Sequence, residues 1–236
     1  MYSKTSSMPP RHIAIIPDGN RRWARNRGLP VEEGHKKGFI EVAPLLFEAI
    51  WNQGIEEGTL WMFSTENWQR SEQEVKNLME IFGAFIEKLI SPALEIGVRL
   101  RHLGRKDRIP IVLRSLIEEA EHRTRGKERH LFNLALDYGG KDEIVRAVRQ
   151  LVGDSVKPEE IDENRLAQYL RNSESSGDDP DLIVRTSGEY RLSGFMPLRS
   201  GYSELYFTDT LFPDMNGAAI ERAIEWFQNR DRRFGK

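Results

Sequence analysis

A carboxylate, a glycine, an amide and two guanidiniums follow one another in Asp18-Gly19-Asn20-Arg21-Arg22, with Trp23 next. Arginine forks and exposed backbone N–H groups suit phosphate, and an acid beside them suits a divalent cation that phosphate would share. The same stretch also fits a turn held by salt bridges, so other segments must decide. Ser64-Thr-Glu66-Asn67-Trp68-Gln-Arg70 is a second polar cluster. A third, running from Arg185 to Ser193, offers Arg185 and Arg191, the hydroxyls of Thr186, Ser187 and Ser193, and Gly188. That composition suits a cradle for a second phosphate group. His35 is either a histidine at a helix start with no task or the imidazole of a phosphate or proton-transfer site. Glu204 is a charge amid aromatic sequence and needs a partner, an arginine or a metal.

Each cluster follows an apolar run that reads as a buried strand. Ile13 to Ile16 holds three β-branched residues and breaks at Pro17. Gly58 to Phe63 precedes the second cluster, and Leu182 to Val184 the third. Further strands are expected at Val98–Leu103, Leu131–Leu136 and Glu204–Phe207. Helical spacing covers Phe39–Trp51, Ile111–Thr124, Lys141–Leu151, Glu163–Leu170 and Ala218–Asn229. Ser71 and Glu74 carry a capping-box signature for a long helix whose apolar residues run from Val75 to Ile90. Those residues form core or line a channel for an apolar ligand. Residues 172–179 read as a loop, and the first ten residues as flexible. Strands alternating with helices predict one α/β domain with a central, mainly parallel sheet flanked by helices. In such sheets ligands bind beyond the carboxyl ends of the strands, where the polar clusters fall.

The 236 residues, 39% of them hydrophobic, suffice for a substantial core. Lys and Arg number 35 against 37 Asp and Glu, a balance that gives no general pull toward nucleic acid. The absence of cysteine excludes disulfides and thiol catalysis. No apolar run reaches the roughly 18 residues of a membrane span, and the polar first ten residues are no signal peptide, so a cytoplasmic protein is expected, with at most peripheral membrane contact. Phosphate-loop, dinucleotide and nucleophile-elbow signatures are missing. The acidic run Asp178-Asp-Pro-Asp181 lacks the spacing of the aspartate motifs of all-helical prenyl synthases.

Taken together, five blocks carry a resemblance: His12 with Asp18-Gly-Asn-Arg-Arg-Trp-Ala, Phe63-Ser-Thr-Glu-Asn-Trp, Tyr138-Gly-Gly-Lys-Asp-Glu-Ile, Asp181-Leu-Ile-Val-Arg-Thr-Ser-Gly-Glu with Arg191-Leu-Ser, and Glu204-Leu-Tyr-Phe-Thr-Asp through to Arg233-Phe-Gly. In this order they resemble the cis-prenyltransferases, the undecaprenyl diphosphate synthase family. The resemblance implies a homodimeric α/β fold with a hydrophobic tunnel, Mg2+, and extension of an allylic diphosphate by isopentenyl diphosphate with Z geometry. By motif position Asp18 resembles the metal-binding acid and Glu204 the second metal ligand. Gly19, Asn20, Arg21, Arg22 and His35, with Trp23 alongside, resemble the allylic diphosphate pocket. Ser64, Asn67 and Trp68, with Glu66 and Arg70 in the same block, resemble the residues tied to proton removal and alignment. Asp18, His35, Ser64 and Asn67 are the expected catalytic residues. Arg185, Arg191 and Ser193 resemble the isopentenyl diphosphate site.

Two departures stand out. Val31 sits where many members carry an arginine, and Pro197-Leu198-Arg199 replaces a Leu-Trp-Gln-type segment. The Pro-Leu pair is similar to the irregular branch, which joins dimethylallyl units head-to-middle. Regular elongation is the first reading and irregular condensation the second. A non-catalytic accessory subunit that binds prenyl diphosphates is the third, though such relatives usually lose the Asp-Gly-Asn block retained here.

Overall fold

The computed structural model describes residues 8–170 and 179–232. Residues 1–7 of the start expected to be flexible, residues 172–178 of the expected loop and Arg233-Phe-Gly lie outside the described residues. Six strands form one sheet: β1 (His12–Ile16), β2 (Glu57–Ser64), β3 (Val98–Leu103), β4 (His130–Tyr138), β5 (Leu182–Arg185) and β6 (Glu204–Phe207). Their order is β3-β4-β2-β1-β5-β6, and all five pairings are parallel. The chain leaves β1 toward β2 on one side and later returns to place β5 on the other. The carboxyl ends of β1 and β5 therefore flank a crevice of the kind that binds ligands in doubly wound sheets.

The helices are α1 (Asn20–Asn26), α2 (Val31–Lys36), α3 (Ala43–Asn52), α4 (Glu72–Ile96), α5 (Ile111–Thr124), α6 (Gly140–Gly153), α7 (Glu163–Leu170) and α8 (Gly217–Gln228). Apolar periodicity locates the long ones within a few residues. It misses α1 and α2, which are too short and too charged to show a stripe. It also starts the next helix at Phe39, inside the π-helical segment Lys37–Val42 through which α2 runs into α3. Pro44 supplies the cause: a proline lacks the N–H that would bond the carbonyl four residues back, and its ring crowds that group. The carbonyl in question, of Ile40, accepts Lys88 Nζ at 3.2 Å instead.

The two faces of the sheet are packed unequally. Ile13, Ile15, Leu60, Met62, Leu134 and Val184 belong to the large core, with Phe47 of α3 and Phe82 and Phe85 of α4. Ala14, Ile16, Ala135 and Ile183 face a smaller cluster with Tyr138, Phe195 and Met196. Helix α4 begins as its signature demands, with Ser71 Oγ accepting the Glu74 N–H at 3.3 Å. No helix among the described residues is long and apolar enough to cross a membrane.

Candidate active site

The Asp18 turn is fixed from both sides. Its N–H donates to Thr186 Oγ1 (2.8 Å), and the Thr186 hydroxyl donates back to the Asp18 carbonyl (2.7 Å). The carboxylate accepts the Gly19 N–H at Oδ1 (2.8 Å) and the Arg185 guanidinium at Oδ2 (2.9 Å). Gly19 has φ 103°, and a Cβ there would meet Leu211 Cδ2 and Ser187 Cβ at 2.9 Å, so conformation and space both require glycine. Asn20 donates to the Pro17 carbonyl at 2.8 Å. Its backbone and side-chain oxygens lie where side chains on Gly34 and Gly38 would have to go, so these glycines let α1 settle onto α2 and the π segment.

A cleft of about 640 Å³ opens beside this turn. Asp18, Gly19, Asn20, Arg21, Arg22, Arg25, His35, Ser64, Glu66, Asn67, Arg70, Arg185 and Ser193 line it, and Phe39, Met62, Phe63 and Leu78 give it an apolar wall. The cations come from several elements and are held in place by partners. Glu74 binds Arg70 at 3.1 Å and stands 3.8 Å from Arg21. Arg22 donates to the Ser187 carbonyl (2.9 Å) and to Glu189 (3.0 Å), whose other oxygen takes Arg191. Arg185 donates to Ser193 Oγ at 2.9 Å and to the Arg191 carbonyl. Asn67 Oδ1 accepts the Ser64 N–H at 3.0 Å, which leaves the Asn67 amide NH2 as the group available to a bound oxygen. Neither ring nitrogen of buried His35 has a hydrogen-bond partner among the described residues. Burial, then the charges of Arg70 and Arg21, push its pKa down to about 4, so the imidazole is neutral at pH 7.

Most residues expected from the sequence thus meet in one place, but four do not line the cleft. Trp23 turns its indole N–H to Asp214 (2.7 Å) under a stacked Arg27. Trp68 donates to the buried Asp137 carboxylate (2.9 Å), which Arg108 also binds, and it lines an apolar groove between α4 and α5. Arg191 contributes its carbonyl to Arg185 while its exposed guanidinium pairs with Glu189. Glu204 pairs with Arg230 at 3.2 Å. Strand register places Glu204 level with Leu182 and thus with Ile13, whereas Asp18 lies past Ile16. Three strand steps, about 10 Å, already separate those levels. Pro197, Leu198 and Arg199 also stay out of the lining: Pro197 fills the space beside Gly140, Leu198 is exposed, and Arg199 is buried against Asp179.

Sequence reading misses Thr186 as the clamp on Asp18, and Glu74 and Glu189 as the acids that hold the arginines. Glu74 carried a signal as the last residue of the capping box, but its carboxylate turns to Arg70 rather than back to Ser71. A magnesium ion needs one or two carboxylates when phosphate oxygens and water complete its shell. The Asp18 carboxylate, a third exposed and open to the cleft, fits that demand. The described residues contain no group of three or more His, Cys, Asp or Glu that would cage a metal without a phosphate.

Comparison with known proteins gives the chain a family. A family model described as undecaprenyl diphosphate synthase matches residues 16–235. An isoprenyl transferase of Aquifex aeolicus is 44% identical over 227 residues, 96% of each chain. The (2Z,6Z)-farnesyl diphosphate synthase CPT6 of Solanum lycopersicum is 41% identical, across 98% of this chain and 81% of that one. The crystal structure of lavandulyl diphosphate synthase from Lavandula x intermedia, in complex with dimethylallyl diphosphate, superposes with a TM-score of 0.92 at 34% identity, covering 97% of this chain and 99% of that one. With a match spanning nearly its whole length, the chain belongs to the undecaprenyl diphosphate synthase family, the cis-prenyltransferases, and is an enzyme acting on prenyl diphosphates.

Proposed function

We propose that the protein condenses isopentenyl diphosphate with an allylic prenyl diphosphate to form a Z-prenyl diphosphate, with Mg2+, as a cytoplasmic homodimer that takes no nucleic acid. The observation that carries this reading is the convergence of Arg21, Arg22, Arg70, Arg185 and neutral His35 on one cleft around Asp18. Breaking the allylic C–O bond puts charge on the departing diphosphate, and prepositioned cations and N–H donors stabilise that charge without reorganising. Mg2+ bound by Asp18 and the diphosphate would add a further positive charge at the same oxygens. Arg21, Arg22 and Arg70 hold the allylic head, while Arg185 and Ser193 hold the second diphosphate. Neutral His35 can donate one N–H to a phosphate oxygen. Ser64 and the Asn67 amide, both on the cleft wall, serve the loss of the alkene proton. Phe39, Met62, Phe63 and Leu78 keep water from the electron-deficient carbon. The edge strand β6, with Leu205 exposed, supports pairing of two copies.

Purified protein given isopentenyl diphosphate and dimethylallyl, geranyl, farnesyl or geranylgeranyl diphosphate should form product with Mg2+ and none with EDTA. Binding without turnover would leave an accessory role. The similarity to lavandulyl diphosphate synthase favours a second reading, head-to-middle condensation of dimethylallyl diphosphate as a side reaction. Gas chromatography of dephosphorylated products from dimethylallyl diphosphate alone tests it. A chain with Leu-Trp-Gln in place of Pro197-Leu198-Arg199 should lose branched products and keep linear ones. Linear products alone from both chains would discard this reading.

A further inference from the structure

The carboxyl end of β4, Asp137-Tyr138-Gly139-Gly140, does not line the cleft, yet it grips the segment that carries two residues into it. That segment is the short helical turn Thr65–Gln69, with Asn67 inside it and Arg70 just after. None of its residues is buried, so the turn has no core of its own to fix its place. Two contacts with the end of β4 do so instead. Trp68 donates its indole N–H to Asp137 Oδ1 at 2.9 Å. Arg108 Nε donates to Oδ2 of the same carboxylate at 2.9 Å, and the Arg108 guanidinium lies over the indole at 5.5 Å. At Gly139 a Cβ would run into Thr65 Oγ1, so glycine lets the turn lie this close to β4.

Asp137 is fully buried and has a left-handed φ of 52°. A carboxylate binds an N–H donor more strongly than a neutral acceptor does, and Arg108 supplies the charge that its burial requires. The indole also meets Phe63, on the cleft wall, edge-on at 5.2 Å. Trp68 comes one residue after Asn67 and two before Arg70, so a shift of the indole moves both the amide and the guanidinium in the cleft. Resting on the roles proposed above for those two groups, we infer that Asp137 is a positioning residue for the condensation. Through the Trp68 indole it sets where the Asn67 amide and the Arg70 guanidinium stand. Arg185 and Ser193 reach the cleft from β5 and the loop after it, with β2 and β1 between them and β4, and do not depend on it.

Steady-state kinetics with Mg2+, isopentenyl diphosphate and an allylic diphosphate test this role, with thermal melting to establish which variants fold. Asp137→Ala should lower kcat and raise KM for the allylic substrate, a combined loss of roughly tenfold to a hundredfold, the scale of a small misplacement of reacting groups. KM for isopentenyl diphosphate should stay unchanged. Asp137→Asn keeps an oxygen for the indole N–H and should restore most of the loss. Trp68→Phe keeps a ring without the N–H and should reproduce the pattern of Asp137→Ala. The double variant should add little to either, because both remove one bond. Should Asp137→Ala fail to fold, Trp68→Phe and Asp137→Asn carry the comparison. Equal rises in both KM values, additive losses in the double variant or normal kinetics in folded Trp68→Phe would each overturn the positioning role and leave the condensation in place. No product from the unaltered enzyme with any substrate pair would instead overturn the proposed function, and the role with it.

Discussion

Strand β1 has a polar region at each end, and the two are built differently. At its start, His12 bonds Thr59 (2.8 Å), Asn133 reaches both Thr59 (3.0 Å) and Glu57 (2.6 Å), and Arg11 binds Glu56 (2.7 Å). At its finish, buried atoms are left over: Asn20 Oδ1, both nitrogens of His35, Arg185 Nε and Ser187 Oγ have no hydrogen-bond partner among the described residues. A buried polar atom without a partner costs free energy, so native structures keep few of them. Asn20, His35 and Arg185 all line one cleft, which marks that end of the sheet as prepared for an outside ligand. The other end turns most of its polar groups on one another, with Asn133 Oδ1 also left without a hydrogen-bond partner among the described residues. Charge or burial alone would not separate the two regions, because both are rich in each.

Substitutions at the two ends should therefore fail in different ways. The largest effect is expected from Asp18→Ala, which should lower turnover at least a hundredfold, about 3 kcal/mol, while circular dichroism shows the fold retained. Near-normal rates at saturating Mg2+ would remove Asp18 from the chemistry. Next comes Arg22→Ala, which should raise KM for the allylic substrate by the loss of a charge-assisted bond of about 1.5–3 kcal/mol. Ser193→Ala, on the cleft wall, should act mainly on isopentenyl diphosphate. The opposite pattern in steady-state kinetics would exchange the two pockets.

At the start of β1, Asn133→Ala should cost about 1–3 kcal/mol of stability, since Glu57 and Thr59 lose a buried donor. Urea unfolding should show that loss with KM unchanged. A rise in KM comparable to that of Arg22→Ala would dissolve the distinction between the two ends.

The smallest effect concerns pH. His35 has a pKa of about 4 when folded against the ordinary 6.5 of a free histidine, so between those values the unfolded chain takes up a proton that the folded one does not. Stability should be full above pH 6.5 and fall as the pH drops toward 4. Fully buried His102, pushed down to about 3 chiefly by burial, adds a loss of the same sign. His35→Gln should remove its own share, seen as a smaller drop in the urea midpoint between pH 7 and 5. An identical drop in both proteins would mean that His35 is not buried in its neutral form.

Much of this molecule could be read along the chain, because the signals are local. Three isoleucines within Ile13–Ile16 make a core strand, Ser71 caps a helix, and Asp18-Gly19-Asn20 must turn where β1 ends. The repeated pattern of apolar run and polar cluster gave the parallel α/β architecture and placed Asp18, Ser64, Asn67, Arg70, Arg185 and Ser193 on one rim. Only the tertiary structure could decide what depends on partners distant in sequence. In-register pairing of β5 with β6 carries Glu204 to the level of Ile13, away from Asp18. Buried or facing acids far along the chain, Asp137 and Asp214, draw the indoles of Trp68 and Trp23 away from the cleft. The helix from Val75 to Ile90 announced its apolar surface but not its use. Phe82 and Phe85 fill the space behind the cleft because α2, α3 and the π segment between them bring Phe39 against α4, and packing between elements is not written in the periodicity of either one.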